Sequence, residues 1–182
     1  FSKTLNLIKS LLNGEPLRVG LYKSPKMKNE INKICKNYDV IIFHLIRSTY
    51  YMPNKFKGQK ILEMTDLISK NYETVEQHLS FINPLKYLYK FEKKRLNKYE
   101  IREVKKFDKI VLVNRGDLKY SGISKKNILI IGNGTHFKKN IYFKNQKKNN
   151  IIFFGNINSL ANRSACLDFI NNYLPTLRIR FP

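Results

Sequence analysis

His44, Arg47 and Asp66 are the side chains best placed to do chemistry. His44 lies in the apolar run Val40-Ile-Ile-Phe-His-Leu-Ile46, Arg47 follows it, and Asp66 follows Ile61-Leu-Glu-Met-Thr65. If these runs are parallel strands, all three residues fall at carboxyl ends, where ligands of such sheets bind. Two glycine turns offer a second kind of site. Ile128-Leu-Ile-Ile131 runs into Gly132-Asn-Gly134, and Ile151-Ile-Phe-Phe154 runs into Gly155-Asn156. A glycine after a strand lets backbone N–H groups approach a phosphate closely. A simpler reading makes these strand-end glycines, makes His44, His78 and His136 structural or surface residues, and makes Asp66 a cap for the segment after it.

Several chemistries are excluded by spacing. No pair of the histidines is spaced as metal ligands are, and Cys35 and Cys166 match no metal motif, so no metal is expected. No nucleophile constellation stands out, and neither a P-loop nor Gly-x-Gly-x-x-Gly is present, which argues against a nucleotide triphosphatase or a dinucleotide enzyme. The cysteines read as buried or half-buried thiols of a reducing compartment.

The 182 residues, 42% hydrophobic, are enough for one sizeable domain or one domain and part of a second. A formal charge of +22 attracts phosphate backbones and anionic lipid. The cations are mostly Lys, not Arg, and are spread along the chain beside abundant Asn and Ile. That pattern fits the codon bias of an AT-rich genome and weakens a nucleic-acid reading, because Arg supplies the bidentate contacts. No apolar run approaches the roughly 20 residues that span a bilayer. The chain opens inside a helical pattern at Phe1-Ser-Lys-Thr-Leu5 and stops at Arg178-Ile-Arg-Phe-Pro182, so it is expected to be a fragment.

The elements that must position these residues follow from periodicity. Leu5, Leu7, Ile8, Leu11 and Leu12 predict a helix closed by Asn13-Gly14, and Leu17 to Tyr22 predicts a short strand. Ser24-Pro25 opens a helix that carries Met27, Ile31 and Ile34 inward. Strands are expected at Val40 to Ile46 and Ile61 to Thr65, with a loop from Arg47 to Pro53 between them. Pro84 to Phe107 predicts one long helix with an apolar stripe, on which Glu92 and Glu100 read as surface partners of neighbouring lysines. Asp108 to Asn114 predicts a strand, and Gly116-Asp117 opens a short helix. Ile128 to Ile131 and Ile151 to Phe154 suit strands covered on both faces. Between them, Lys138 to Asn150 is almost all Lys, Asn and Gln, the composition of a domain boundary. Leu160 to Tyr173 predicts a helix that Pro175 ends.

The fold class is therefore α/β, a Rossmann-like parallel sheet with flanking helices. The first domain is expected over 1–137, a connector over 138–150, and the start of a second domain over 151–182. Asn133 and Gly134 read as the hinge.

The order of motifs adds a resemblance. Glu92-Lys-Lys-Arg-Leu-Asn-Lys-Tyr-Glu100, Phe107-Asp-Lys-Ile-Val-Leu-Val-Asn114, Ile130-Ile-Gly-Asn-Gly-Thr-His136, Ile152-Phe-Phe-Gly-Asn-Ile-Asn158, Ala161-Asn162 and Leu174-Pro175 succeed one another. Together they resemble the middle of a family 4 type glycosyltransferase with the two-Rossmann GT-B fold, over roughly residues 38 to 178. Gly132 stands where that turn usually has Pro, Asn114 where the strand usually ends in Ser, and Ala161 where Pro usually precedes Asn162. The family's glycine-rich first turn is expected before Phe1, and its acidic donor motif after Pro182.

The resemblance implies sugar transfer, with retention, from a nucleotide-sugar donor to a saccharide or lipid-linked acceptor in bacterial-type polysaccharide or glycoconjugate synthesis. No cofactor and no obligatory metal are implied. Asp66 and His44 become the candidate catalytic groups, Arg47 the contact to acceptor or phosphate, and Gly155, Asn156 and Asn158 the donor-binding turn. The donor diphosphate gathers charge as it leaves, so backbone N–H groups and cations must face it. A cytoplasmic location, with peripheral contact to anionic lipid at the inner face of the plasma membrane, would suit the charge. The fragment itself is expected to be inactive. The rival reading is a non-enzymatic basic α/β module that binds nucleic acid.

Overall fold

The computed structural model describes residues 2–121, 127–134, 136 and 150–181. The chain divides into two units, Phe1–Gly134 and Thr135–Pro182. In the first, β1 (Val40–His44), β2 (Gln59–Met64), β3 (Lys109–Leu112) and β4 (Ile128–Ile130) form one parallel sheet in the order β1-β2-β3-β4. This is the α/β fold that the apolar runs predict.

The register sorts the side chains into two faces. Phe43, Leu62, Ile110 and Ile128 stand in one row across the four strands, and His44, Glu63, Val111 and Leu129 stand in the adjacent row on the opposite face. The core gathers on the first face, where Phe43, Leu62, Met64, Ile110 and Leu112 meet Leu96, Tyr99, Val104 and Phe107. The Phe43 and Phe107 rings pack edge to face, 5.2 Å between centroids. On the second face Val40, Ile42 and Leu129 stay exposed. Right-handed crossovers that all step in one direction put their connections on one side of a sheet. The strand at Ile128 is therefore an edge strand with an open face, not one covered on both.

Two helix ends follow the sequence closely. α1 (Ser2–Leu12) closes at Gly14, whose φ of +66° only glycine adopts without strain. α3 (Pro25–Ile34) opens with the Ser24 hydroxyl accepting from the Met27 N–H at 3.3 Å. Met27, Ile31 and Ile34 do not reach a closed core. They line an apolar groove of about 380 Å³ against β1.

Other elements depart from the sequence reading. Leu17–Leu21 is a helix, α2, not a strand. The Pro16 carbonyl accepts from the Val19 and Gly20 N–H groups, and the Leu17 N–H donates to Glu92 at 2.7 Å. β1 stops at His44 because Leu45 turns to φ 65°, and Ile46–Tyr51 forms a 3₁₀ turn where a loop is predicted. α4 (Ile68–His78) has no counterpart in the sequence reading. α5 (Pro84–Val104) is the long helix, capped by Asn83, and α6 (Arg115–Ser121) follows β3.

The second unit contains α7 (Leu160–Asp168), a π turn (Phe169–Tyr173) and α8 (Leu174–Arg180). Pro175 does not end the helical run; it sits in the first turn of α8, where a missing N–H costs nothing. Ile151 to Phe154 is not a buried strand. Ile152 is 87% and Phe154 100% exposed, and no strand pairs with this segment among the described residues. A β-branched run needs a neighbour's ladder and a packed face to become a strand. Apart from Asn150, the connector at 138–150 lies outside the described residues.

Candidate functional site

The carboxyl edge of the sheet gathers the ends of β1, β2, β3 and β4. His44 ends β1, and its Nδ1 lies 2.7 Å from a carboxylate oxygen of Glu63 on β2. A carboxylate at Nδ1 holds the proton there and leaves Nε2 free to accept one. Nothing within Ile61-Leu-Glu-Met-Thr65 marks Glu63 as that partner. Leu45, next in the chain, has φ 65° and ψ 152°, a region that is nearly restricted to glycine. Its N–H donates to the Glu63 carbonyl at 2.8 Å, and its carbonyl accepts from Ser48. The strained residue is thus pinned on both sides beside the His44–Glu63 pair.

Arg47 turns elsewhere. Its guanidinium lies over the Tyr22 ring, 4.6 Å from the centroid. Asp66 is exposed beyond the end of β2 and has no hydrogen-bond or ion-pair partner among the described residues. Within the described residues no hydrogen bond or ion pair joins His44, Arg47 and Asp66 to one another.

A second cluster lies past the ends of β2 and β3. Lys70, in the first turn of α4, donates to Asp117 of α6 at 2.8 Å, and Asp117 is buried. The Asn114 side chain accepts from the Gly116 N–H at 2.7 Å. A methyl group on Gly116 would stand 3.2 Å from the Asn114 oxygen and 3.6 Å from the Lys70 ammonium. Asn114 followed by Arg-Gly-Asp signals an Asx turn. Nothing in the sequence marks Lys70 as its neighbour.

Glu92 and Glu100 overturn their surface reading. They are 3% and 2% exposed and lie on the inner face of α5. Glu92 accepts from the Leu17 N–H and from Arg95, closing the start of α2. Glu100 accepts from the backbone N–H and hydroxyl of Ser69, closing the start of α4. Burial raises both carboxyl pKa values above the ordinary glutamate range, against the hydrogen bonds that lower them. Two negative charges at helix N-termini also meet the positive ends of those dipoles.

In the second unit Gly155, Asn156 and Asn158 share one turn. The Asn156 side chain accepts from the Asn158 N–H at 3.0 Å, and the Asn156 carbonyl accepts from the Asn162 amide at 3.1 Å and from the Ser159 N–H. The turn leads directly into α7. Asn133 and Gly134 are exposed, and nothing lies within 4 Å of a methyl group placed on Gly132 or Gly134, so neither close packing nor a positive φ demands these glycines. Cys35 is buried, Cys166 half-buried, and both are free. Among the described residues no group of three or more His, Cys, Asp or Glu side chains is placed to hold a metal ion. No described helix is long and apolar enough to cross a membrane. Set against protein-family models, curated proteins and solved structures, the chain matches none of them.

Proposed function

We propose that the protein is a glycosyltransferase of the GT-B type, taking its acceptor on the first unit and a nucleotide-sugar donor on the second. The observation that carries this reading is the parallel sheet in the order β1-β2-β3-β4. One wing of a doubly wound sheet runs outward from its switch point in such an order. The motif order in the sequence supports the same reading.

In this scheme Asp66 accepts the hydrogen of an acceptor hydroxyl. His44, held by Glu63, serves the same proton or a donor phosphate, and Arg47 leaves the Tyr22 ring to hold an anion. The Gly155–Asn158 turn and the start of α7 offer N–H groups to the leaving diphosphate. Asn133 and Gly134 lie at the junction of the two units and form the hinge. The acceptor is a saccharide or a lipid-linked saccharide at the inner face of the plasma membrane, and neither cofactor nor metal is required.

The test is release of nucleoside diphosphate when the protein is incubated with UDP-, GDP- and ADP-hexoses and candidate acceptors. Donor-dependent release, together with a rise in melting temperature on adding one donor, supports the reading. Absence of both, with salt-sensitive binding of generic RNA or DNA, would favour the basic-module rival.

A further inference from the structure

α1 and the N-terminal half of α5 each expose apolar side chains and share the lining of two pockets. Leu5, Ile8 and Leu12 form an exposed stripe along α1, at helical spacing. Leu85, Leu88 and Phe91 form another along α5 and are likewise exposed. Leu7 and Leu11, on the neighbouring side of α1, line pockets with α5: Leu7 with Leu85 and Leu88, and Leu11 with Phe91. Phe81 and Ile82, at the turn before α5, are exposed as well. Exposed apolar surface of this extent on a soluble face marks a contact with something apolar.

The charge around the patch has one sign. α1 contains no acidic residue, and all three acidic residues of α5, Glu92, Glu100 and Glu103, are buried. The charge that α5 shows outward is therefore basic. Lys94 and Lys98 are exposed and have no hydrogen-bond or ion-pair partner among the described residues.

Beside Phe91 the cations converge on a pocket of about 460 Å³ lined by Leu11, Phe91, Arg95, Lys98 and Arg102. Arg95 is fixed there, ion-paired to Glu92 at 3.2 Å and donating to the Ser10 carbonyl at 2.8 Å and the Leu11 carbonyl at 3.2 Å, with its guanidinium 5.0 Å from the Phe91 centroid. Arg102 lies over the Tyr99 ring at 4.9 Å and donates to Glu103 at 3.0 Å, so among the described residues Lys98 is the pocket's cation without a carboxylate partner.

We propose that this face docks on an anionic lipid bilayer, with α1 lying in the interface and the pocket at Arg95, Lys98 and Arg102 receiving a headgroup phosphate. An apolar stripe whose exposed neighbouring charges are cations matches acyl chains below and anionic headgroups beside them. A nucleic acid would answer the charge but leave the leucines in water. A second copy of the chain would answer the leucines but set cation against cation. α1, at 11 residues, is about 16 Å long and lies on a bilayer without spanning it. The inference stands on this surface alone and does not depend on glycosyl transfer.

The test is flotation of the purified chain with phosphatidylcholine vesicles and with vesicles containing one quarter phosphatidylserine, at low and high salt. Binding is expected to be at least tenfold tighter on the anionic vesicles and to fall with salt. Ile8→Glu with Leu12→Glu should abolish it, and Lys98→Glu should weaken it more than about fivefold, the worth of one surface lysine. Lys55→Glu with Lys57→Glu, exposed before β2, should retain most of it. Circular dichroism and melting temperature verify that each variant folds. Equal binding to neutral vesicles, or equal loss from the Lys55/Lys57 pair and the α1 pair, would overturn the proposal. So would a dimer in light scattering that Ile8→Glu dissociates.

Discussion

Glu100 reaches from α5 to the first turn of α4, where Ser69 donates to it twice, through its backbone N–H at 3.2 Å and through its hydroxyl. One buried carboxylate thereby ties the longest helix of the first unit to its neighbour, and Glu92 does the same for α2. Both bonds are long-range in sequence, and both satisfy helix N–H groups that no side chain of the receiving helix caps.

The Glu100 carboxyl is held above its ordinary pKa of 4.5 by burial first. A raised folded-state value means that this group's stability is fully present below the ordinary pKa and is lost as pH rises through the raised one. Glu100→Gln keeps an acceptor for the Ser69 N–H and never ionises. Its stability relative to the parent in urea unfolding should therefore improve as pH rises above the ordinary carboxyl value of 4.5. Glu100→Ala, which leaves the Ser69 N–H without its acceptor, should cost about 1–3 kcal/mol.

Close packing of α1 on α2 should be exposed by Gly20→Ala. A methyl group there would meet the Ser10 side chain, with the Ser10 Cβ at 2.7 Å. Such overpacking costs about 1–3 kcal/mol. Ser10→Gly in the same chain should restore most of that loss, a non-additivity that a double-mutant cycle in urea measures.

Strain at Leu45 separates from its side chain by comparing two truncations. Leu45→Gly and Leu45→Ala remove nearly the same apolar contact, but only Gly adopts φ 65° freely. The Gly variant should be more stable than the Ala variant by about 1 kcal/mol in thermal or urea unfolding. Equal stability would show that the backbone there carries no strain.

Under the proposed glycosyl transfer, Asp66→Asn should lower kcat by about 10²–10⁴-fold with little change in melting temperature, because Asp66 is exposed and unpartnered among the described residues. Glu63→Gln should lower kcat less, through loss of the carboxylate that orients His44. Steady-state kinetics with a matched donor and acceptor check both.

Local patterns were sufficient for much of the fold. Four apolar runs gave a parallel α/β sheet, Ser24-Pro25 and Asn13-Gly14 gave a helix start and a helix end, and Pro84 onward gave α5. Each depends on periodicity or on a cap within a few residues, which a sequence displays directly. The same patterns placed His44, Arg47 and Asp66 at the ends of β1 and β2, since position along a strand is a local property.

What the sequence by itself determined was the class of the fold and the residues along its carboxyl edge. Only the tertiary structure decided their partners. Leu17–Leu21 reads locally as a strand and folds as a helix whose first N–H meets Glu92, 75 residues away. Glu92 and Glu100 stand among lysines in the sequence and are buried because α2 and α4 offer them N–H donors. Ile151 to Phe154 has the composition of a buried strand and remains exposed, with no paired strand among the described residues. Capping, strand pairing and burial join groups far apart in the chain, and no short stretch of sequence contains both of them.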